Sequence, residues 1–204
     1  MKIGLVHPRM DIAGGAERLL LWLAHGLGKR GLDVTIFTER FNPRFTDGHI
    51  KVEVFKKGLL NNLINSKLMD KKVYAKQLSC LLKDFSTVVS FNFPSYWWVA
   101  EAKELSTSFP DAIWFCNEPL RRLYRDKTDR FLMDYYSKDL NGYNTHLKEE
   151  VQRRLTEDSN NLKRQERDRE IDKLSVSAMD KVLAISDYTA QNLKSIFGIE
   201  SIVC

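Results

Sequence analysis

The chain has 204 residues, 43% hydrophobic and 29% charged, with 11 Phe, 7 Tyr and 4 Trp, which provides for one domain with a substantial core or two small ones and argues against a disordered chain. A net charge of +5 and a pI near 9.0 suit a phosphorylated substrate, an anionic membrane or a nucleic acid without choosing among them. No apolar run approaches the roughly 18 residues that cross a bilayer, and the short apolar stretch 1–7 is broken at once by Pro8, Arg9 and Asp11, so no signal peptide is read and a cytoplasmic location is expected.

The chain opens with a strand over 2–7, a loop over 8–13 and the pair Gly14-Gly15. From Ala16 the period changes: Leu19, Leu20, Leu23, Ala24 and Leu27 recur at helical spacing, and Gly31 stands where a glycine ends a helix. Strands follow over 33–39 and 49–55, then a helical stretch over 60–82. A buried strand over 86–91, a helix entered near Pro94 and a strand over 112–116 come next. Residues 143–197 contain neither glycine nor proline and read as mostly helix, with Leu147, Val151, Leu155 and Leu162 on one face. The mixed charges of 163–173 read as a solvated helix surface. A strand over 180–185 precedes a last helix capped by Ser186 or Asp187 and ended by Gly198, then a strand over 199–203.

Strand, turn and helix in repetition predict an α/β fold, doubly wound on a mostly parallel, Rossmann-like sheet. Ligands of such sheets bind beyond the carboxyl ends of the strands, here 7–15, 91–96, 115–122 and 185–189. Three cysteines, Cys80, Cys116 and Cys204, lie far apart and read as buried free thiols rather than metal ligands.

At Gly14-Gly15-Ala16-Glu17 a strand turns into a helix through two glycines. Such a turn lets backbone N–H groups approach a ligand, and the helix N-terminus favours a phosphate or a sugar hydroxyl. A tight turn, with Glu17 complementing the helix dipole, accounts for the same residues. The spacing G-x-G-x-x-G of dinucleotide enzymes is absent.

Ile3-Gly4-Leu5-Val6-His7-Pro8, Gly14-Gly15-Ala16-Glu17-Arg18 and Gly31-Leu32-Asp33-Val34-Thr35 together resemble the opening of family 4 glycosyltransferases. Asp180-Lys181-Val182-Leu183-Ala184-Ile185-Ser186-Asp187-Tyr188-Thr189, followed by Leu193, Phe197 and Gly198, is similar to the close of their N-terminal domain. The resemblance implies the N-terminal, acceptor-side half of a GT-B architecture over residues 1–204, with the nucleotide-gripping domain lying elsewhere. It implies a retaining glycosyltransferase of the hexosyltransferase type that uses a nucleotide-sugar, such as a GDP- or UDP-sugar, as co-substrate. No cofactor and no metal are expected, and the sequence has no Asp-x-Asp triplet of the kind that holds a divalent ion. Activity is expected to need a complementing C-terminal domain.

In that frame Gly14 and Gly15 would meet the donor phosphates. Cys116-Asn117-Glu118-Pro119-Leu120-Arg121-Arg122 resembles a family segment that delivers a polar residue into the cleft, His in many relatives. Asn117 can hydrogen-bond a sugar hydroxyl but cannot transfer a proton near neutrality. Asn117 and Glu118 are candidates for orienting the acceptor, and Arg121 or Arg122 for pairing with an anionic one; an ion pair of Glu118 with a neighbouring arginine would instead be purely structural. His7 and Ser186 are further acceptor-side candidates, with a structural histidine and a helix cap as the competing readings.

Residues 55–83 carry seven lysines (56, 57, 67, 71, 72, 76 and 83) against Asp70, interleaved with leucines. The segment suits peripheral contact with an anionic inner leaflet, as a lipid-linked acceptor would require, and equally a core-packed helix with a solvated face. Apart from Tyr74 it lacks aromatic residues for stacking on bases, so no nucleic-acid partner is expected. The rival to an enzyme is a Rossmann-like carbohydrate-binding or interaction module without catalysis.

Overall fold

The computed structural model describes residues 1–46, 48–56, 67–124, 149, 153 and 162–204. Seven strands form one sheet: β1 (Lys2–Met10), β2 (Asp33–Phe41), β3 (Lys51–Val54), β4 (Thr87–Ser90), β5 (Asp111–Cys116), β6 (Lys181–Ala184) and β7 (Ile202–Val203). Their order is β3-β2-β1-β4-β5-β6-β7, and every neighbouring pair runs parallel. The described helices are α1 (Gly15–Lys29), α2 (Lys67–Leu81), α3 (Ser95–Glu104), α4 (Leu162–Ser177) and α5 (Asp187–Phe197). This is the α/β, Rossmann-like sheet that the alternation of periods predicts.

Both sheet faces are covered, which is why the strands read as apolar runs rather than as alternations. On one face Leu20 and Ala24 of α1 pack with Ile3, Leu5, Ile36, Val89 and Phe115. On the other, Val6, Phe37, Val88 and Trp114 meet Tyr74 and Leu78 of α2, Tyr96 to Val99 of α3, Val176 of α4 and Leu193 of α5. Each large side chain so enclosed contributes about 1.5–3 kcal/mol. Gly4 belongs to this second face because a Cβ there would come within 2.8 Å of Leu82 Cδ2.

Helix ends follow local chemistry. Gly31 ends α1 with φ +79, and Gly198 ends α5 with φ +70, the left-handed conformation that glycine adopts without a Cβ clash. Ser186 caps α5 by accepting from the Thr189 backbone N–H at 3.2 Å.

Three expectations change. β1 continues through Pro8 to Met10 instead of giving way to a loop at Pro8. Its register with β4 ends at Val6↔Ser90 while that with β2 continues to Met10↔Phe41, so the proline stands where the strand has become an edge, the place in a sheet that tolerates it. Among the cysteines only Cys116 is buried; Cys80 and Cys204 are exposed. The charged stretch 163–173 is not wholly a solvated surface, since Asp172 of α4 is fully buried.

The expected helix over 60–82 is described from Lys67. Its residues Tyr74, Ala75, Leu78 and Leu82 face the core, whereas Lys72, Lys76 and Lys83 are exposed. Leu59, Leu60, Leu63 and Ile64, and the expected apolar face at Leu147, Val151 and Leu155, lie outside the described residues. No described helix is long and apolar enough to cross a membrane.

Candidate functional site

The chain runs outward from β1 to β3 and then returns to place β4 on the other side of β1. Such a reversal opens a crevice beyond the carboxyl ends of the strands, because the connections leave in opposite directions. A cleft of about 680 Å³ lies there, lined by Gly15, Ala16 and Leu19 after β1, Asn92, Phe93 and Tyr96 after β4, residues 117–122 after β5, and Ile185 after β6.

The segments after β1 and β5 thus bring Gly15, Asn117, Glu118, Arg121 and Arg122 to one cavity. Gly14 is the N-cap of α1, extended and without a side-chain cap, and adjoins the lining through Gly15. A Cβ at Gly15 would have nothing within 4 Å. The space over this turn is open, and packing alone does not require glycine there.

Asn117 sits at the end of β5 and donates its Nδ2–H to Asn92 Oδ1 at 3.0 Å. Its own Oδ1 is buried without a hydrogen-bond partner among the described residues. The Thr189 hydroxyl donates to the Asn117 backbone carbonyl at 3.3 Å and lies 3.1 Å from Ser186 Oγ. Ser186 therefore braces the strand end that carries Asn117 while capping α5, and is not itself part of the lining.

His7 is 1% exposed and lies outside the lining. Its Nδ1 is 2.8 Å from the Arg9 carbonyl, and its Nε2 is 3.5 Å from Glu17 Oε1. That separation suits an ion pair, although Nε2 has no hydrogen bond of good geometry. Burial lowers the His7 pKa, against the opposing pull of Glu17 and the Arg9 carbonyl. The histidine ties β1 to Glu17 in the first turn of α1.

Sequence reasoning missed the aromatic floor and its anchor. Asp172 Oδ1 accepts from the Tyr96 hydroxyl at 2.5 Å and from the Trp97 indole at 2.8 Å. Burial raises the Asp172 pKa, and these donors oppose the rise. Phe93 packs edge-on against Trp97, centroids 4.6 Å apart, and the Arg122 guanidinium lies over the Phe93 ring at 4.9 Å. Asn92 and Phe93 fall within the strand end 91–96, so their position was legible; Asp172 carried no signal apart from its charged neighbours. Burial also pushes the Cys116 thiol well above its ordinary range, so it serves as a small apolar group.

No family model matches the chain, and no curated protein does. Among solved structures it is similar to a lipopolysaccharide outer core galactosyltransferase, WaaB, in its apo form, with a TM-score of 0.61 at 13% identity. The likeness covers 100% of this chain and 44% of the galactosyltransferase chain. It establishes a shared fold, over less than half the length of that enzyme.

Proposed function

We propose that this chain is the acceptor-side, Rossmann-like domain of a retaining, metal-independent family 4 glycosyltransferase with a GT-B architecture, moving a hexosyl group from a nucleotide-sugar to a glycan or lipid-linked acceptor. The observation that carries the reading is that the glycine turn before α1 and the polar residues after β5 face one cleft at the point where the sheet reverses. The fold likeness to a galactosyltransferase supports it.

In this reading the open space over Gly15 admits the donor diphosphate to the first N–H groups of α1, where the helix dipole favours negative charge. Asn117, Glu118, Arg121 and Arg122 orient the acceptor. The acceptor hydroxyl oxygen forms the new bond to the sugar C1 as the bond from C1 to the phosphate oxygen breaks. The departing diphosphate carries the charge away, and the hydroxyl proton passes to it or to a carboxylate. A second domain, in the same polypeptide or supplied by another chain, grips the nucleotide. The exposed Lys72, Lys76 and Lys83 suit contact with an anionic inner leaflet in the cytoplasm, where a lipid-linked acceptor would lie.

The second reading, a carbohydrate-binding module without catalysis, is favoured by Asn117. Its amide is held by Asn92 and cannot act as an acid or base at neutral pH. Calorimetric titration of UDP- and GDP-sugars into the chain, with and without a complementing C-terminal domain, separates the two. Binding that Gly15→Val abolishes, with sugar transfer on complementation, supports the enzyme. Binding of free glycans with no response to any nucleotide-sugar overturns it in favour of the module.

A further inference from the structure

Arg122 stands on the 3-10 turn Arg121–Leu123, held from two sides. Beneath it Leu123 and Tyr124 are buried, and Arg169 Nε of α4 donates to the Leu123 carbonyl at 2.5 Å. Beside it Phe93 offers a ring face, itself fixed against Trp97, whose indole is fixed by Asp172.

A guanidinium stacked on an aromatic ring has its position set through its face, while its N–H donors stay in the plane around its edge. Among the described residues Arg122 has no carboxylate within ion-pair distance and no hydrogen bond. Stacking on Phe93 thus preorganises the cation, and among the described residues no hydrogen bond occupies its edge. Among the described residues the charged side chains of the lining are Arg121, Arg122 and Glu118.

We propose that this cleft selects an acceptor sugar bearing an anionic substituent, a phosphate or a carboxylate, and that Arg122, stacked on Phe93, grips the substituent through its edge. The inference rests on the acceptor-side reading above and narrows it to a substrate class. The donor diphosphate has the same chemistry but enters at Gly15, on the α1 side. Planar two-point pairing with an oxyanion is what guanidinium provides and ammonium does not. Phe93, which supports the group through its ring, is a positioning residue.

The test is an NMR titration of the full chain with glucose 6-phosphate, glucose and UDP as separate probes. Glucose 6-phosphate is expected to bind roughly 10-fold or more tightly than glucose, with the gap narrowing as ionic strength rises. Arg122→Gln should erase the gap, Arg122→Lys should restore only part of it, and Phe93→Leu should narrow it. UDP affinity should be untouched by Arg122→Gln and lowered by Gly15→Val. Equal binding of glucose and its phosphate, or a gap that survives Arg122→Gln, overturns the proposal. An equal loss of UDP and glucose 6-phosphate binding in Arg122→Gln overturns it too, because the arginine would then belong to the donor site. If glucose 6-phosphate binds as expected and no sugar transfer appears when a C-terminal domain is supplied, the anion grip stands and the glycosyltransferase reading falls.

Discussion

Tyr96 donates its hydroxyl to Asp172 at 2.5 Å, joining α3 to α4 across 76 residues of chain in a position closed to solvent. The Trp97 indole shares the same oxygen. A buried carboxylate is tolerated when donors converge on it, and its removal strands those donors. Asp172→Ala should therefore lower the unfolding free energy by roughly 3 kcal/mol. Asp172→Asn, which keeps an acceptor in place, should cost about 1 kcal/mol. Urea denaturation measures both, and equal losses would show that the cavity rather than the hydrogen bonds sets the cost.

Gly15 offers a substitution that leaves the fold intact. A Cβ there meets nothing within 4 Å, and alanine is the better helix former by about 1 kcal/mol. Gly15→Ala should leave the thermal midpoint unchanged or raise it slightly, while Gly15→Val should weaken nucleotide-sugar binding by roughly 10-fold or more if N–H groups of this turn meet a phosphate. Calorimetry on a variant shown by its melt to be folded decides the point; unchanged affinity in Gly15→Val would remove the donor role of the turn.

Ser186 accepts from the Thr189 N–H at 3.2 Å as the cap of α5. Ser186→Ala should cost about 1 kcal/mol and Ser186→Asp much less, as for other helix caps. Because Thr189 also holds the Asn117 carbonyl, the amide signal of Asn117 should shift in the alanine variant. An acceptor affinity that falls in Ser186→Ala and does not recover in Ser186→Asp would instead place the hydroxyl itself on the ligand.

His7 makes stability depend on pH in a defined direction. Burial holds its pKa below the ordinary 6.5, so between the lowered value and 6.5 the unfolded chain binds the proton and the folded chain does not. The histidine contribution is thus complete above pH 6.5 and is lost as pH falls through that window. Thermal melts between about pH 7.5 and 5 should show a falling midpoint that is shallower in His7→Gln. Parallel slopes in the two proteins would exclude His7 as the titrating group.

Much of the fold was legible because it is written in local periods and local chemistry. The helical recurrence from Leu19 to Leu27, the glycines at 31 and 198, and the cap at Ser186 each act over a few residues, and each reappears in the structure. Of the cleft residues, Gly15, Asn117, Glu118, Arg121 and Arg122 were legible because strand ends of a parallel sheet must gather on one edge. Pro8 misled because its effect depends on which neighbour strand is still paired at that position, and β4 stops short of it.

The order of strands, glycine turns and helices was determined by the sequence itself, since backbone preference and hydrophobic period act along the chain. The burial of Asp172 under Tyr96 and Trp97, the withdrawal of His7 from the cleft onto Glu17, and the stacking of Arg122 on Phe93 were decided only by the tertiary structure. In each case a charged or titratable group takes its environment from residues brought to it across the fold. Desolvation and pairing are properties of that neighbourhood, which no window of sequence contains.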